Sequence, residues 1–274
     1  MKRREMLLTT GAAILGISAF PLGWATADEK KKPKILYFTK SAGFVHSVVN
    51  RKGEPLAYSE KVLTRLGEKN GFEVVCSQDP AVFDGDLGQY DLIVFYTTGE
   101  PLSETQKQKL LDAISAGKPF AGIHCATDTY RGKEKNDPYI AMIGGEFLNH
   151  GEQQKAKMKV VSPHFPGVKD LGEGFEMHEE WYAGKNFAKD MHVILLQETK
   201  GMKGDMYQRP DFPATWAKMS GKGRVFYTSM GHREDVWENK IFQDVLLGGF
   251  AWALGNAKAE IKPNLAEVAP HANL

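Results

Sequence analysis

The stretch Lys118 to Tyr130, KPFAGIHCATDTY, constrains this chain more than any other. Phe120, Ala121 and Ile123 read as the end of a buried strand, Gly122 lets the backbone approach a neighbour closely, and the polar run His124-Cys125-Ala126-Thr127-Asp128-Thr129 follows at once. Upstream, Ser103 to Ala116 has helical character and is closed by Gly117, with Pro119 just beyond. A helix feeding an apolar strand is a unit of an open parallel sheet. Ligands in such sheets bind outside the carboxyl ends of the strands, so His124 and Asp128 stand where chemistry usually sits.

The flanking sequence repeats this logic. Lys34 to Phe38 reads as a first central strand, nearly continuous in apolar character as parallel strands are, and His46 lies in its exit loop. Pro55 to Lys69 carries Leu56, Val62, Leu63 and Leu66 at helical spacing before an Asn70-Gly71 stop. Phe72 to Cys76 and Asp91 to Tyr96 supply two further strands, which gives a doubly wound pattern. Tyr139 to Phe147 reads as a short helix interrupted by Gly144-Gly145. Lys155 to Val161 alternates basic and apolar residues, as an edge strand with one face in water does. His192 to Gln197 is another strand, and 214–218 with 223–229 form a hairpin-type pair that leads into Gly231-His232. Glu238 to Leu254 is an apolar helix capped by Gly255-Asn256, and residues 256–274 are expected to be a loosely packed tail.

The first 27 residues read as an export signal. Lys2-Arg3-Arg4 is a basic start, Met6 to Phe20 is a short apolar segment broken by glycine, and Ala25-Thr26-Ala27 fits a small-residue cleavage site. Arg3-Arg4 followed by Glu5-Met6-Leu7-Leu8 is similar to a twin-arginine signal, with an ordinary Sec signal as the alternative. Residues 28–33 are then a lysine-rich linker, and the mature protein is expected to be periplasmic or extracellular. Thirty-five basic against thirty-four acidic residues give a net charge of +1, so no field argues for nucleic acid or anionic lipid. The partner expected is small or neutral. Cys76 and Cys125 are too few for a disulfide scaffold and read as separate, mostly buried thiols.

Four of the eight histidines, His46, His124, His150 and His232, fall just past predicted strands or in glycine-flanked loops. Imidazoles in such places ligate metals, shuttle protons near neutral pH or bond sugar hydroxyls. Asp128 either orients a histidine or substrate or serves a local turn. Glu179 and Glu180 sit between His178 and the aromatic pair Trp181-Tyr182; neighbours on a strand face opposite ways, so only one carboxylate can enter the crevice. An acid beside aromatic planes suits carbohydrate. No G-x-G-x-x-G, P-loop, H-E-x-x-H or clustered C-x-x-C pattern occurs.

The segments KILYFTKSAGFVH, GIHCATDT, IGGEFLNH, EEWY and GKGRVFYTSMGH, closing with AWALG, together resemble the ThuA-like (trehalose utilisation) family, in its order and over 34–255. That resemblance implies an α/β, flavodoxin-like three-layer sandwich with a mostly parallel central sheet, related to class I glutamine amidotransferases. In amidotransferases the elbow reads G-x-C-x-G. Here His124 takes the cysteine's position and Cys125 is one place late, which argues against thiol chemistry, while His232 falls roughly where their catalytic histidine lies. The family's acidic motif D-E-x-Y is matched by Glu179-Glu180-Trp181-Tyr182, with glutamate for aspartate at the first place.

The resemblance implies sugar catabolism, including keto-sugar pathways. The expectation is an exported enzyme acting on keto-sugar or trehalose-type glycosides by hydrolysis, elimination or isomerisation. His124, His232, Glu180 and Asp128 would be catalytic, and His46, His150, Glu179, Trp181 and Tyr182 would contact substrate. A divalent metal such as zinc could be held by His124, His232 and His46. The alternative is a non-catalytic carbohydrate-binding or sensing protein on the same fold.

Overall fold

A computed structural model of the protein describes residues 31–132 and 137–273. The expected export signal and residues 28–30 of the linker lie outside the described residues. The strands are β1 (Lys34–Phe38), β2 (Glu73–Ser77), β3 (Leu92–Phe95), β4 (Phe120–Ile123), β5 (Glu146–His150), β6 (Gln154–Val160), β7 (Gly174–Glu179), β8 (Tyr182–Lys185), β9 (His192–Glu198), β10 (Phe212–Ser220) and β11 (Gly223–Thr228). The α-helices are α1 (Tyr58–Asn70), α2 (Glu104–Ala116), α3 (Pro138–Ile143), α4 (Glu234–Trp237), α5 (Lys240–Ala253) and α6 (Leu265–Val268).

Nine strands form one sheet in the order β2-β1-β3-β4-β11-β10-β9-β6-β7. The half from β2 to β11 is parallel, and the half from β11 to β7 is antiparallel. Parallel strands need a crossover between them, and α1 and α2 supply two of these; hairpin-type links suffice in the other half. The residues of β3 and β4 are all fully or almost fully buried, which is why each reads as a continuous apolar run rather than an alternation. At about 1.5–3 kcal/mol for each large aliphatic or aromatic side chain removed from water, this central layer supplies the driving force that fixes the sheet. The result is a flavodoxin-like α/β sandwich.

α2 starts at a capping box, with Ser103 Oγ accepting from Gln106 N and the Gln106 side chain returning to Ser103 N. Gly122 in β4 meets the expected close approach: an added Cβ would lie 2.8 Å from Ile143 Cδ1 of α3 and 3.0 Å from Ala126 Cβ.

Three expectations are corrected. β6 is not an edge strand, because it pairs with both β7 and β9; its lysines 155, 157 and 159 are exposed through the pleat alone, and β7 is the edge. The 139–147 segment is split between α3 and β5, and β5 pairs with β8 in a separate two-stranded sheet. The tail is docked: Leu265, Ala269 and Ala272 are buried, and two asparagines imitate a strand's backbone. Asn264 accepts from Val193 N and donates to its carbonyl, and Asn273 does the same to Phe187.

Candidate functional site

His46, His124, Glu180 and His232 come from four separate connections, after β1, β4, β7 and β11, and meet at the carboxyl edge of the parallel strands. One ligand atom from each lies within 4.8 Å of the other three. The parallel register carries two of them there. Thr228 of β11 pairs with Ile123 of β4, so the chain leaves both strands at one level and His124 and Ser229 become neighbours.

His124 sits at a sharp elbow. Its φ is +46°, a backbone conformation that costs a non-glycine residue on the order of 1–3 kcal/mol. Its carbonyl accepts from the Tyr227 hydroxyl at 2.7 Å, and the side chain is fully buried. Nδ1–H donates to the Ser229 carbonyl at 2.7 Å, which leaves Nε2 with its lone pair facing the cluster. Nε2 is 3.3 Å from His232 Nδ1 and 3.5 Å from Glu180 Oε2, while His232 Nδ1 is 2.9 Å from that same oxygen.

His46 is 2% exposed. Its ring lies 5.1 Å from His124 and 5.2 Å from His232. Nε2 faces the Tyr182 hydroxyl at 3.3 Å, and Nδ1 is buried with no hydrogen-bond partner among the described residues. The loop that carries it is anchored from below by the buried Glu60 carboxylate, which accepts from Thr39 Oγ1, Ala57 N and both Nε and Nη2 of Arg51.

Glu179, the last residue of β7, and Glu180, the next in the chain, face opposite ways. Glu180 faces the crevice; Glu179 is wholly buried behind it. Glu179 Oε1 accepts from Glu180 N at 2.7 Å, and Oε2 accepts from Gly231 N at 2.8 Å and His232 N at 3.1 Å. One carboxylate therefore fixes the backbones that present both Glu180 and His232. Gly231 is clamped further, its carbonyl accepting from the Tyr96 hydroxyl and from Trp237 Nε1, and its φ of +117° requires glycine.

These surroundings set the charge states. Burial, reinforced by His124 and His232, pushes the His46 imidazolium down to about 2. Burial also lowers His124, against the opposing bond to Glu180. Burial alone would raise Glu180, but its bonds to His124 and His232 hold it well below the usual carboxylate range. Glu179 is pushed up to about 7 by burial, with the backbone N–H bonds pulling the other way. Two neutral imidazoles beside an ionised carboxylate are the protonation states a cation requires of its ligands. His124 Nε2, His232 Nδ1 and Glu180 Oε2 approach one another closely, and His46 offers a nitrogen to the same four-residue group, so the residues present suit a divalent ion held by three nitrogens and one oxygen.

His150 is half exposed at the mouth, with Nδ1 3.4 Å from Glu180 Oε1 and its ring stacked on Tyr182 at 6.1 Å. Tyr182 lies 4.1 Å from the His124 ring, and burial keeps its phenol protonated. Asp128 is outside the four-residue set. It ion-pairs with Arg131 instead of a histidine, and burial raises its pKa against that guanidinium. Trp181, expected against substrate, is instead fully buried with Nε1 donating to the Gln154 carbonyl; β7 turns into β8 here, and the indole goes to the core side. Cys125 is buried, and burial lifts its thiol well above the ordinary value; Cys76 is raised to about 12 for the same reason, and both are free thiols. Sequence reasoning missed the Ser229 carbonyl, Glu60, Tyr227 and Arg131. Only Glu60 carried a signal, a carboxylate on the apolar side of α1.

An α/β sandwich with a polyhistidine crevice at its parallel edge defines the class. The profile of the ThuA family, described as trehalose utilisation, matches residues 34–253, and the chain belongs to that family. Among solved structures it is similar to a ThuA-like protein from Bacteroides uniformis (20% identity, TM-score 0.69, covering 90% of this chain and 100% of that one). Another, from Parabacteroides merdae, is 18% identical with a TM-score of 0.64, covering 84% and 93%. A β-galactosidase from Rahnella sp. R3 shares the fold over 83% of this chain but only 32% of its own, at 14% identity and a TM-score of 0.51. No curated protein matches the sequence.

Proposed function

We propose that this protein is an exported carbohydrate-processing enzyme that acts on keto-form glycosides, with a divalent metal held by His46, His124, Glu180 and His232. The observation that carries the reading is the meeting of four ligand atoms within 4.8 Å at the edge where α/β sheets bind ligands. The family's tie to trehalose utilisation supports the substrate class. A divalent ion there would supply Lewis-acid polarisation of a sugar carbonyl.

The chain's own groups supply the rest. His150, half exposed and oriented by Glu180, accepts the proton from the carbon beside the carbonyl. The electron pair left behind forms a carbon–carbon double bond and expels the glycosidic oxygen from the next carbon. The leaving oxygen takes a proton from the imidazolium so formed, which balances the elimination; addition of water across the double bond completes a net hydrolysis. The Tyr182 hydroxyl holds the His46 ring, and Glu179 holds the backbones of Glu180 and His232.

The test incubates mature protein, with and without added zinc, against 3-keto-disaccharides and their unoxidised parents, with products followed by mass spectrometry. Turnover of the keto forms alone is expected, with loss on His124→Ala or His232→Ala. Undiminished turnover in both variants refutes the assignment, and sugar binding without any product identifies a binding protein instead.

A further inference from the structure

Beside the cluster lies a second cavity of about 390 Å³, within the ~300–1,000 Å³ range of small-molecule sites. Its walls include Gly43, Phe44, Glu100, Asp128, Tyr130 and Arg131. Phe44 is 66% exposed, an unusual place for a phenyl ring, and it packs nearly perpendicular to the His46 imidazole with ring centroids 4.9 Å apart. The loop bearing it is rigid. Ala42 N donates to the Thr98 carbonyl, Gly43 N to Thr98 Oγ1, and Thr98 Oγ1 to the Phe44 carbonyl at 2.9 Å. The floor is tied down as well, with Gly99 N donating to the Asp128 carbonyl and Tyr130 N to that of Gly99.

A chain of side-chain contacts links the cavity wall to the cluster. The Arg131 guanidinium pairs with Asp128 and lies 4.9 Å over the Phe147 ring; Phe147 stacks on His150 at 6.0 Å, and His150 reaches Glu180. An exposed aromatic face on a fixed backbone, opposite a planar donor and a carboxylate acceptor, matches a sugar ring: C–H faces on the phenyl, hydroxyls on the ion pair. Asp128 and Arg131 cancel in charge, so the fit is to a neutral ring rather than a phosphate or uronate.

We infer that this cavity is a second sugar subsite, and that the protein takes glycosides of at least two neutral rings, one over the histidine cluster and the next on Phe44. The inference rests on the carbohydrate reading above and narrows it. It also reassigns Asp128 from the reaction centre to substrate recognition.

The experiment is calorimetric titration of the zinc-loaded full chain with a glucose disaccharide and with methyl glucoside, in wild type and in Phe44→Ala, Phe44→Trp and Arg131→Met. The expected result is a disaccharide preference of about tenfold that disappears in Phe44→Ala, survives in Phe44→Trp and shrinks in Arg131→Met. Because Phe44 is exposed, Phe44→Ala should keep the wild-type melting temperature, so a change in binding is a local effect. No disaccharide preference in wild type, or one unchanged in Phe44→Ala, overturns the inference. A Phe44-dependent preference in a protein that turns over no keto-glycoside would leave the subsite standing and remove the catalytic proposal. Equal turnover of one-ring and two-ring keto-glycosides would do the reverse.

Discussion

Replacing Glu179 by Gln isolates the part of the site that does not touch the crevice. The wild-type carboxylate accepts three backbone N–H groups, from Glu180, Gly231 and His232, at 2.7, 2.8 and 3.1 Å. A carboxamide has one oxygen, so its NH₂ must oppose either the Glu180 N–H or the Gly231 and His232 pair. At about 1–3 kcal/mol for each buried donor left unsatisfied, the variant should lose about 2–4 kcal/mol at pH 7.5, where Glu179 is mostly the carboxylate. The pH dependence has a definite sign. The folded pKa of Glu179 is raised from 4.5 to about 7, so the stability this group contributes is full below 4.5 and is lost as pH rises through about 7. The gap between wild type and the pH-insensitive Gln variant should therefore narrow from pH 4.5 to 7 in urea unfolding of metal-free protein. The second readout is zinc affinity at pH 7.5, expected to fall 10- to 100-fold because the backbones of two ligands lose their common anchor. Leu110→Ala in α2, a fully buried leucine away from the cluster, should cost about 2–5 kcal/mol and leave zinc affinity unchanged. A Glu179→Gln protein that is as stable and as zinc-avid as wild type would show that Glu179 anchors neither backbone.

Three further outcomes follow from the geometry. Iodoacetamide at pH 8 should leave turnover intact, since Cys125 is buried with its pKa well above the ordinary thiol value and Cys76 is raised to about 12; inactivation that tracks Cys125 labelling would restore a thiol mechanism. His46 has its folded pKa depressed from 6.5 to about 2, so its contribution to stability is present above 6.5 and is lost as pH falls below it. Chelator-treated His46→Leu should show a shallower stability decline than wild type from pH 6.5 to 4, and an unchanged slope would contradict the burial of that imidazole. Asn264→Ala removes both bonds to the Val193 backbone and should cost about 1–3 kcal/mol in thermal unfolding, whereas a neutral change would mean that the tail is dispensable.

The parallel half of the sheet was legible because its strands are buried on both faces: Ile35-Leu36-Tyr37-Phe38 and Leu92-Ile93-Val94-Phe95 can hardly be anything else. The histidines at strand ends were legible for a related reason, since the topology sends such ends to one edge. What local pattern does not carry is which strand sits beside which. Lys155 to Val161 alternates as an edge strand does, yet β7 covers it, and nothing within those residues records that a later segment will pair there. Trp181 had the composition of a sugar platform, but its side follows from the bend between β7 and β8, not from its neighbours in sequence. The docked tail escaped notice because Asn264 and Asn273 act as single residues replacing a strand's hydrogen bonds, and they leave no periodic trace. Asp128 was singled out for the company of His124, whereas its pairing depends on Arg131, three residues on and outside the motif.

The proposed metal centre requires that the three imidazoles and Glu180 bind one cation together. Zinc uptake by metal-free protein, measured by elemental analysis together with X-ray absorption of the loaded sample, tests this directly. One equivalent, with nitrogen and oxygen scatterers near 2.0–2.1 Å and no sulfur, is the predicted result, and it should be lost in His124→Ala and in Glu180→Gln. Failure to take up stoichiometric metal, or uptake that persists in both variants, would contradict it.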